Sequence, residues 1–219
     1  MGPAPKRLRV IVTRAREQLE PLATRIEALG HDVVRCPLVE LEAVGPEHVD
    51  VGRYDWVVVT SAYGARELLG RARGTLPRVA AIGPGTAAAL REGGTEPDLV
   101  ARVSTQEGLI DELPPSPGRV LFAGAERARP LLVEWLGADF VPLYRTRTLR
   151  PDPAPAGDLV VLASASAAEA FAALGLAIPV VSIGPETTRA ARAAGIAVLA
   201  EAETHDLDGL VQAVRGVSL

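Results

Sequence analysis

Small hydroxyl side chains close the β-branched runs of this chain with regularity. Thr13 follows LRVIV, Thr60 and Ser61 follow WVVV, and Ser164 and Ser166 follow LVVLA; Thr86 and Thr187 follow the turns IGPG and IGPE. One such residue is an ordinary helix cap. Six or more at strand-to-helix junctions make a surface that binds carboxylates or phosphates, because their hydroxyls act together with the unpaired N–H groups of each helix start. Such a surface needs no lysine, and Lys6 is the only one present. Arg14, just after the first run, and Arg129, near the helix start behind Val120–Ala123, are candidate carboxylate partners. Tyr144, between VPL and RTRTL, sits at a crossing where a phenol would point toward a cleft; Tyr54 and Tyr63 have weaker claims.

Other chemistries are poorly served. GPGTAA at Gly83–Ala88 satisfies a dinucleotide pattern formally, but Pro84 stiffens the turn and no acidic residue ends the next strand to hold a ribose. The second copy of the turn carries Glu186, which would repel a pyrophosphate. No strand ends in Asp, so a receiver-type phosphorylation site is excluded, and neither a Ser-His-Asp order nor a nucleophile elbow is present. Cys36 is the sole cysteine, and His31, His48 and His205 match no metal-ligand spacing, so no metal site is expected. A net charge of −4 gives no basic field for nucleic acid. No apolar run approaches a membrane span and the leading MGPAPKRLRV lacks the core of a signal peptide, so a cytoplasmic protein is expected.

The elements that must position these residues are written twice. A constant separation of 101 positions carries Ile82, Gly83, Pro84 and Thr86 onto Ile183, Gly184, Pro185 and Thr187, and carries Gly94, Gly108 and Leu109 onto Gly195, Gly209 and Leu210. VVVTSA ending at Ala62 resembles VVLASA ending at Ala165. An amphipathic stretch over Glu17–Leu29, stopped by Gly30, lies between LRVIVTR and HDVVRCPLVEL. In all, ten short strands alternate with helical spacing, the pattern of doubly wound parallel sheets. Five and five fits the repeat, with a cleft expected between two similar halves. The first two strands match Val120–Ala123 and Phe140–Leu143, which come late in their own half, so one half is permuted. That predicts a discontinuous α/β domain, residues 1–36 plus 147–219, with a second α/β domain, 44–143, inserted in it. Linker strands at 37–43 and 144–146 join them.

The ordered set VIVTRA, WVVVTSAYGA, VAAIGPGTAAAL with STQEGL, VLFAGAERARPLL, VPLYRT and VVSIGPETTRAARAAGI with DLDGLV resembles the uroporphyrinogen-III synthase family over most of the chain. The resemblance implies two flavodoxin-like parallel-sheet domains, the second inserted in the first, joined by a two-stranded linker. It implies a cofactor-free monomer whose partner is a polycarboxylate tetrapyrrole. Hydroxymethylbilane would lose its terminal hydroxyl as water, and the resulting azafulvene would close through a spiro intermediate that inverts the last ring. By motif, Tyr144 takes the family's tyrosine position as candidate acid, and Thr60, Ser61, Thr86, Ser164 and Thr187 match substrate-lining positions. Two departures are Ala62, where the family commonly has proline, and Thr105, whose second-half counterpart is Asp206. The alternative is a non-catalytic tetrapyrrole-binding or sensing module on the same fold.

Overall fold

The computed structural model describes residues 7–217. Lys6 and the start of the leading segment, with Ser218 and Leu219, lie outside them. In chain order the strands are β1 (Arg9–Val12), β2 (Asp32–Arg35), β3 (Val39–Ala43), β4 (Val49–Asp50), β5 (Trp56–Val59), β6 (Ala72–Arg73), β7 (Arg78–Ala81), β8 (Leu99–Val100), β9 (Val120–Ala125), β10 (Asp139–Thr148), β11 (Leu159–Leu162), β12 (Val180–Ser182) and β13 (Val198–Glu201). The helices are α1 (Arg16–Glu27), α2 (Ala62–Arg71), α3 (Pro84–Glu92), α4 (Gln106–Glu112), α5 (Leu131–Leu136), α6 (Ala165–Ala172), α7 (Pro185–Ala193) and α8 (Leu207–Arg215).

These elements form two compact units. One combines the chain up to Leu41 with Thr146 onward, and the other is Glu42–Arg145. The sheet of the first runs β2-β1-β11-β12-β13 with every pair parallel. Numbered within the unit, its strands stand in the order 2-1-3-4-5. The sheet of the second runs β10-β9-β5-β7-β8, again parallel, with β3 outside β10. Its order is also 2-1-3-4-5, provided β9 and β10 are counted before β5. In such sheets the direction of winding reverses between strands 1 and 3, and ligands bind outside the carboxyl ends of the strands at that point. The reversal falls between β1 and β11 in the first unit and between β9 and β5 in the second.

Both units bury their strands on two faces, which explains runs such as WVVV and LVVL without polar alternation. In the first unit Val10, Val12 and Val161 pack with Leu19, Leu22, Ile26 and Leu210 on one face. Ile11, Val160 and Leu162 pack with Ala167, Phe171 and Ala191 on the other. In the second, Trp56, Val58, Val120 and Phe122 meet Leu109, Leu113 and Leu132.

The structure has three strands beyond the ten read from sequence. HDVVRCPLVEL divides into two strands at Pro37, which cannot donate a ladder bond. The second piece, β3, pairs with β10 in antiparallel sense: Val44 N–H donates to the Leu143 carbonyl at 2.9 Å and Leu149 N–H to that of Leu38 at 2.8 Å. The other two additions are the two-residue pair β4 and β6, too short to show periodicity. Strand β10 also runs beyond Leu143 to Thr148, so Tyr144 lies inside a strand.

The repeat survives in detail at α4 and α8. Thr105 and Asp206 cap these helices, accepting the N–H of Gly108 at 3.1 Å and of Gly209 at 2.8 Å. A Cβ at Gly108 would lie 2.2 Å from the Val103 carbonyl oxygen, and one at Gly209 2.0 Å from that of Thr204. Gly108→Ala and Gly209→Ala are each expected to lower stability by about 1–3 kcal/mol in urea unfolding. Gly70→Ala, where the added methyl meets open space inside α2, is expected to raise it by about 0.4–1 kcal/mol.

Candidate functional site

In the second unit, Tyr144 and Ser61 meet where the sheet order reverses. Val59 aligns with Ala123 and Tyr144 with Ala125, so Ser61, two residues past Val59, lies on the same line across the strand ends. The register of β10 shifts between Pro142 and Tyr144, leaving Leu143 as an extra residue. This bulge breaks the strict alternation of faces, and Leu143 and Tyr144 are both buried in succession. The Tyr144 hydroxyl donates to Ser61 Oγ at 2.9 Å, and Ser61, as N-cap of α2, accepts the Gly64 N–H at 2.9 Å. Tyr63 meets the Tyr144 ring edge-on with centroids 5.1 Å apart. Burial pushes the pKa of the phenol upward, partly offset by the bond to Ser61. Thr60, beside Ser61, is half-buried.

Helices α3 and α7 start in a matching and distinctive way. Their N-cap residues, Gly83 and Gly184, share the same extended backbone, and neither helix has a side-chain cap. Pro84 and Pro185 occupy the first helical position, so the next N–H groups, on Gly85 and Thr86 and on Glu186 and Thr187, are those left to a ligand or water. Thr86 and Thr187 are 5% and 3% exposed, yet neither hydroxyl has a protein hydrogen-bond partner among the described residues. Neither oxygen is sealed from solvent; the sealed, unpartnered polar atoms are Trp56 Nε1 and Gln106 Oε1.

In the first unit, Ser164 caps α6 by accepting the Ala167 N–H at 3.1 Å, and Ser166, the second residue of that helix, is half-buried. Arg14 follows β1 at the other side of the reversal point. It is half-buried, donates to Gln18 Oε1 at 3.1 Å, and has no ion pair among the described residues; burial pushes its pKa down. An unneutralised cation in that position is suited to a carboxylate.

Two residues expected at the site have other employment. Thr13 is fully buried, and its hydroxyl donates to the Val161 carbonyl at 2.9 Å, so it ties β1 to β11. Arg129 forms a two-pronged pair with Glu107, at 2.8 and 2.9 Å. Position at a strand end foretold neither outcome, because each depends on a partner distant in sequence. Conversely, Tyr63, a weaker candidate in the sequence, packs against the Tyr144 ring, and Gly64, which the sequence reading did not single out, lies against both Tyr144 and Ser61. The signal was available: SAYGA stands where the second copy reads SASAA, so Tyr63 replaces Ser166 and Gly64 replaces Ala167. Among the described residues no group of three or more His, Cys, Asp or Glu is placed to hold a metal ion. No helix among them is long and apolar enough to cross a membrane.

The family model described as uroporphyrinogen-III synthase HemD matches residues 20–212. The chain belongs to the uroporphyrinogen-III synthase family. Its α/β architecture with parallel sheets is similar to that of solved synthases. A mutant uroporphyrinogen III synthase from Thermus thermophilus superposes with a TM-score of 0.61 at 21% identity, covering 95% of this chain and 97% of that one. The Helicobacter pylori 26695 uroporphyrinogen-III synthetase superposes with a TM-score of 0.65 at 16% identity, covering 97% and 100%. A Methanocaldococcus jannaschii protein, provisionally named a uroporphyrinogen-III synthase, is 24% identical over 149 residues. That match spans 64% of this chain and 62% of the length of the relative.

The pairing of Arg129 has a measurable signature. Its guanidinium, with the backbone N–H at the start of α4, holds the Glu107 carboxyl at about 2. A carboxylate depressed in this way favours the folded state above its ordinary pKa, and that contribution fades as pH falls towards 2. NMR titration of Glu107 is expected to give a midpoint near that value, and Arg129→Ala to return it towards the ordinary carboxylate range.

Proposed function

We propose that this chain is a uroporphyrinogen-III synthase that converts hydroxymethylbilane into uroporphyrinogen III, with loss of water and inversion of the last pyrrole ring. The observation that carries the reading is the buried phenol of Tyr144, hydrogen-bonded to Ser61 at the strand-order reversal of its sheet. The reaction breaks a C–O bond and makes C–C bonds with no net redox change, so its demands are a proton for the departing hydroxyl and control of a flexible chain's geometry. Tyr144 meets the first demand. Its raised pKa means that it enters the reaction protonated and takes a proton back readily.

The second demand falls to groups that hold the substrate's carboxylates. The uncapped starts of α3 and α7, with Thr86 and Thr187, suit them, as do Thr60, Ser164, Ser166 and Arg14. A merely tetrapyrrole-binding protein would use those helix starts equally well, but it would have no use for a buried proton donor. We further infer two flavodoxin-like domains, residues 1–36 with 147–219 and an inserted 44–143, joined by linker strands at 37–43 and 144–146. The 2-1-3-4-5 order of both sheets, permuted in one, supports this. The proposed enzyme acts in the cytoplasm as a monomer, without a cofactor.

Incubating the chain with freshly generated hydroxymethylbilane is expected to give the type III isomer; formation of the type I isomer alone, the product of spontaneous closure, overturns the reading. Thr187→Ala is expected to raise KM several-fold with kcat nearly unchanged, as for loss of uniform binding. An unaltered KM would make Thr187 a purely structural residue.

A further inference from the structure

Tyr144 does not present its proton outward. The phenol is 8% exposed, and its hydroxyl hydrogen is committed to Ser61 Oγ. Ser61 Oγ in turn accepts two hydrogen bonds, from Tyr144 at 2.9 Å and from the Gly64 N–H at 2.9 Å. A serine hydroxyl has two acceptor positions and one hydrogen. Both acceptor positions are occupied, so its own hydrogen is the one uncommitted hydrogen of the three-residue chain, and Ser61 is the more accessible end of it. Resting on the synthase reading, we propose that Ser61 is the group that hands the proton to the departing substrate hydroxyl, with Tyr144 recharging it.

The step balances without any other reactant. As the C–O bond breaks, its electron pair leaves with the hydroxyl oxygen, which takes the Ser61 hydrogen and departs as water. Ser61 takes the Tyr144 hydrogen through the existing 2.9 Å bond, leaving a phenolate. When the closed ring sheds its surplus proton, the same path returns it to Tyr144. The cationic intermediate and the phenolate coexist only between these two events.

The first unit supplies an internal comparison. Ser164 caps α6 as Ser61 caps α2, but it accepts only from the Ala167 N–H, and no phenol reaches it among the described residues. Position 64 makes the difference possible. A Cβ on Gly64 would stand 3.4 Å from Tyr144 Cε1 and 3.0 Å from Ser61 Oγ, so the alanine of the other copy would crowd the relay. Capping alone asks for neither the glycine nor the tyrosine.

The test compares Ser61→Ala, Tyr144→Phe, the double variant and Ser61→Thr, each checked for folding by thermal unfolding. The relay predicts that either single variant lowers kcat on the order of 100-fold while KM changes little. It predicts that the double variant is no slower than the worse single, since both remove one function. Ser61→Thr, which keeps hydroxyl and cap, restores most of the turnover, and the wild-type proton inventory in mixed H2O and D2O is curved, showing two protons in flight. A folded Ser61→Ala variant turning over at the wild-type rate, multiplicative losses in the double variant, or a linear inventory overturns the relay while type III product from the wild type leaves the synthase reading intact. Type I product alone from the wild type would overturn the reading itself.

Discussion

Much of this structure depends on the backbone being allowed to come too close for a side chain. A Cβ at Gly83 would lie 2.3 Å from Ser104 Oγ, and one at Gly184 2.9 Å from the His205 ring. The loops that lead into α4 and α8 therefore press directly on the starts of α3 and α7. Glycine leaves room for the Ser104 and His205 side chains, and it brings no capping oxygen to those starts. Their N–H groups stay unsatisfied by the protein, which is the state an anion requires. The neighbouring helices α4 and α8 are capped instead, by Thr105 and Asp206. One packing constraint thus decides which helix ends are structural and which can receive a ligand.

The donors so exposed are mostly neutral. Hydroxyls and amides orient carboxylates without the strong Coulombic grip of lysine or arginine, and Arg14 is the half-buried cation of the proposed site. For a polycarboxylate substrate and product of the proposed kind, tight charge pairing would hold both equally and slow release without helping the chemical step. Modest donors avoid that penalty.

The fold was largely legible because its information is local or repeated. Periodicity located the long strands and α1, and the 101-residue register exposed the permutation that the sheet orders display. The starts of α3 and α7 were legible for the same reason, since IGPGT and IGPET carry their own geometry. What was not legible depends on contacts between distant residues. Thr13 looks like Thr60 in sequence, and only the approach of Val161 makes it a strand tie. Arg129 looks available until α4 brings Glu107 to it. The partnership of Tyr144 with Ser61 spans 83 positions and passes over β9, where Gly124 and Ala125 are small.

The extra residue in β10 makes chain length a chemical variable. The strand holds one residue more than its partner at that point, and Leu143 and Tyr144 are buried in succession there. Shortening β10 by one residue there would restore strict alternation and turn the phenol to the opposite face, with every amino acid of the site still in the sequence. A single-codon deletion there would separate the phenol from Ser61 while leaving both residues in the chain.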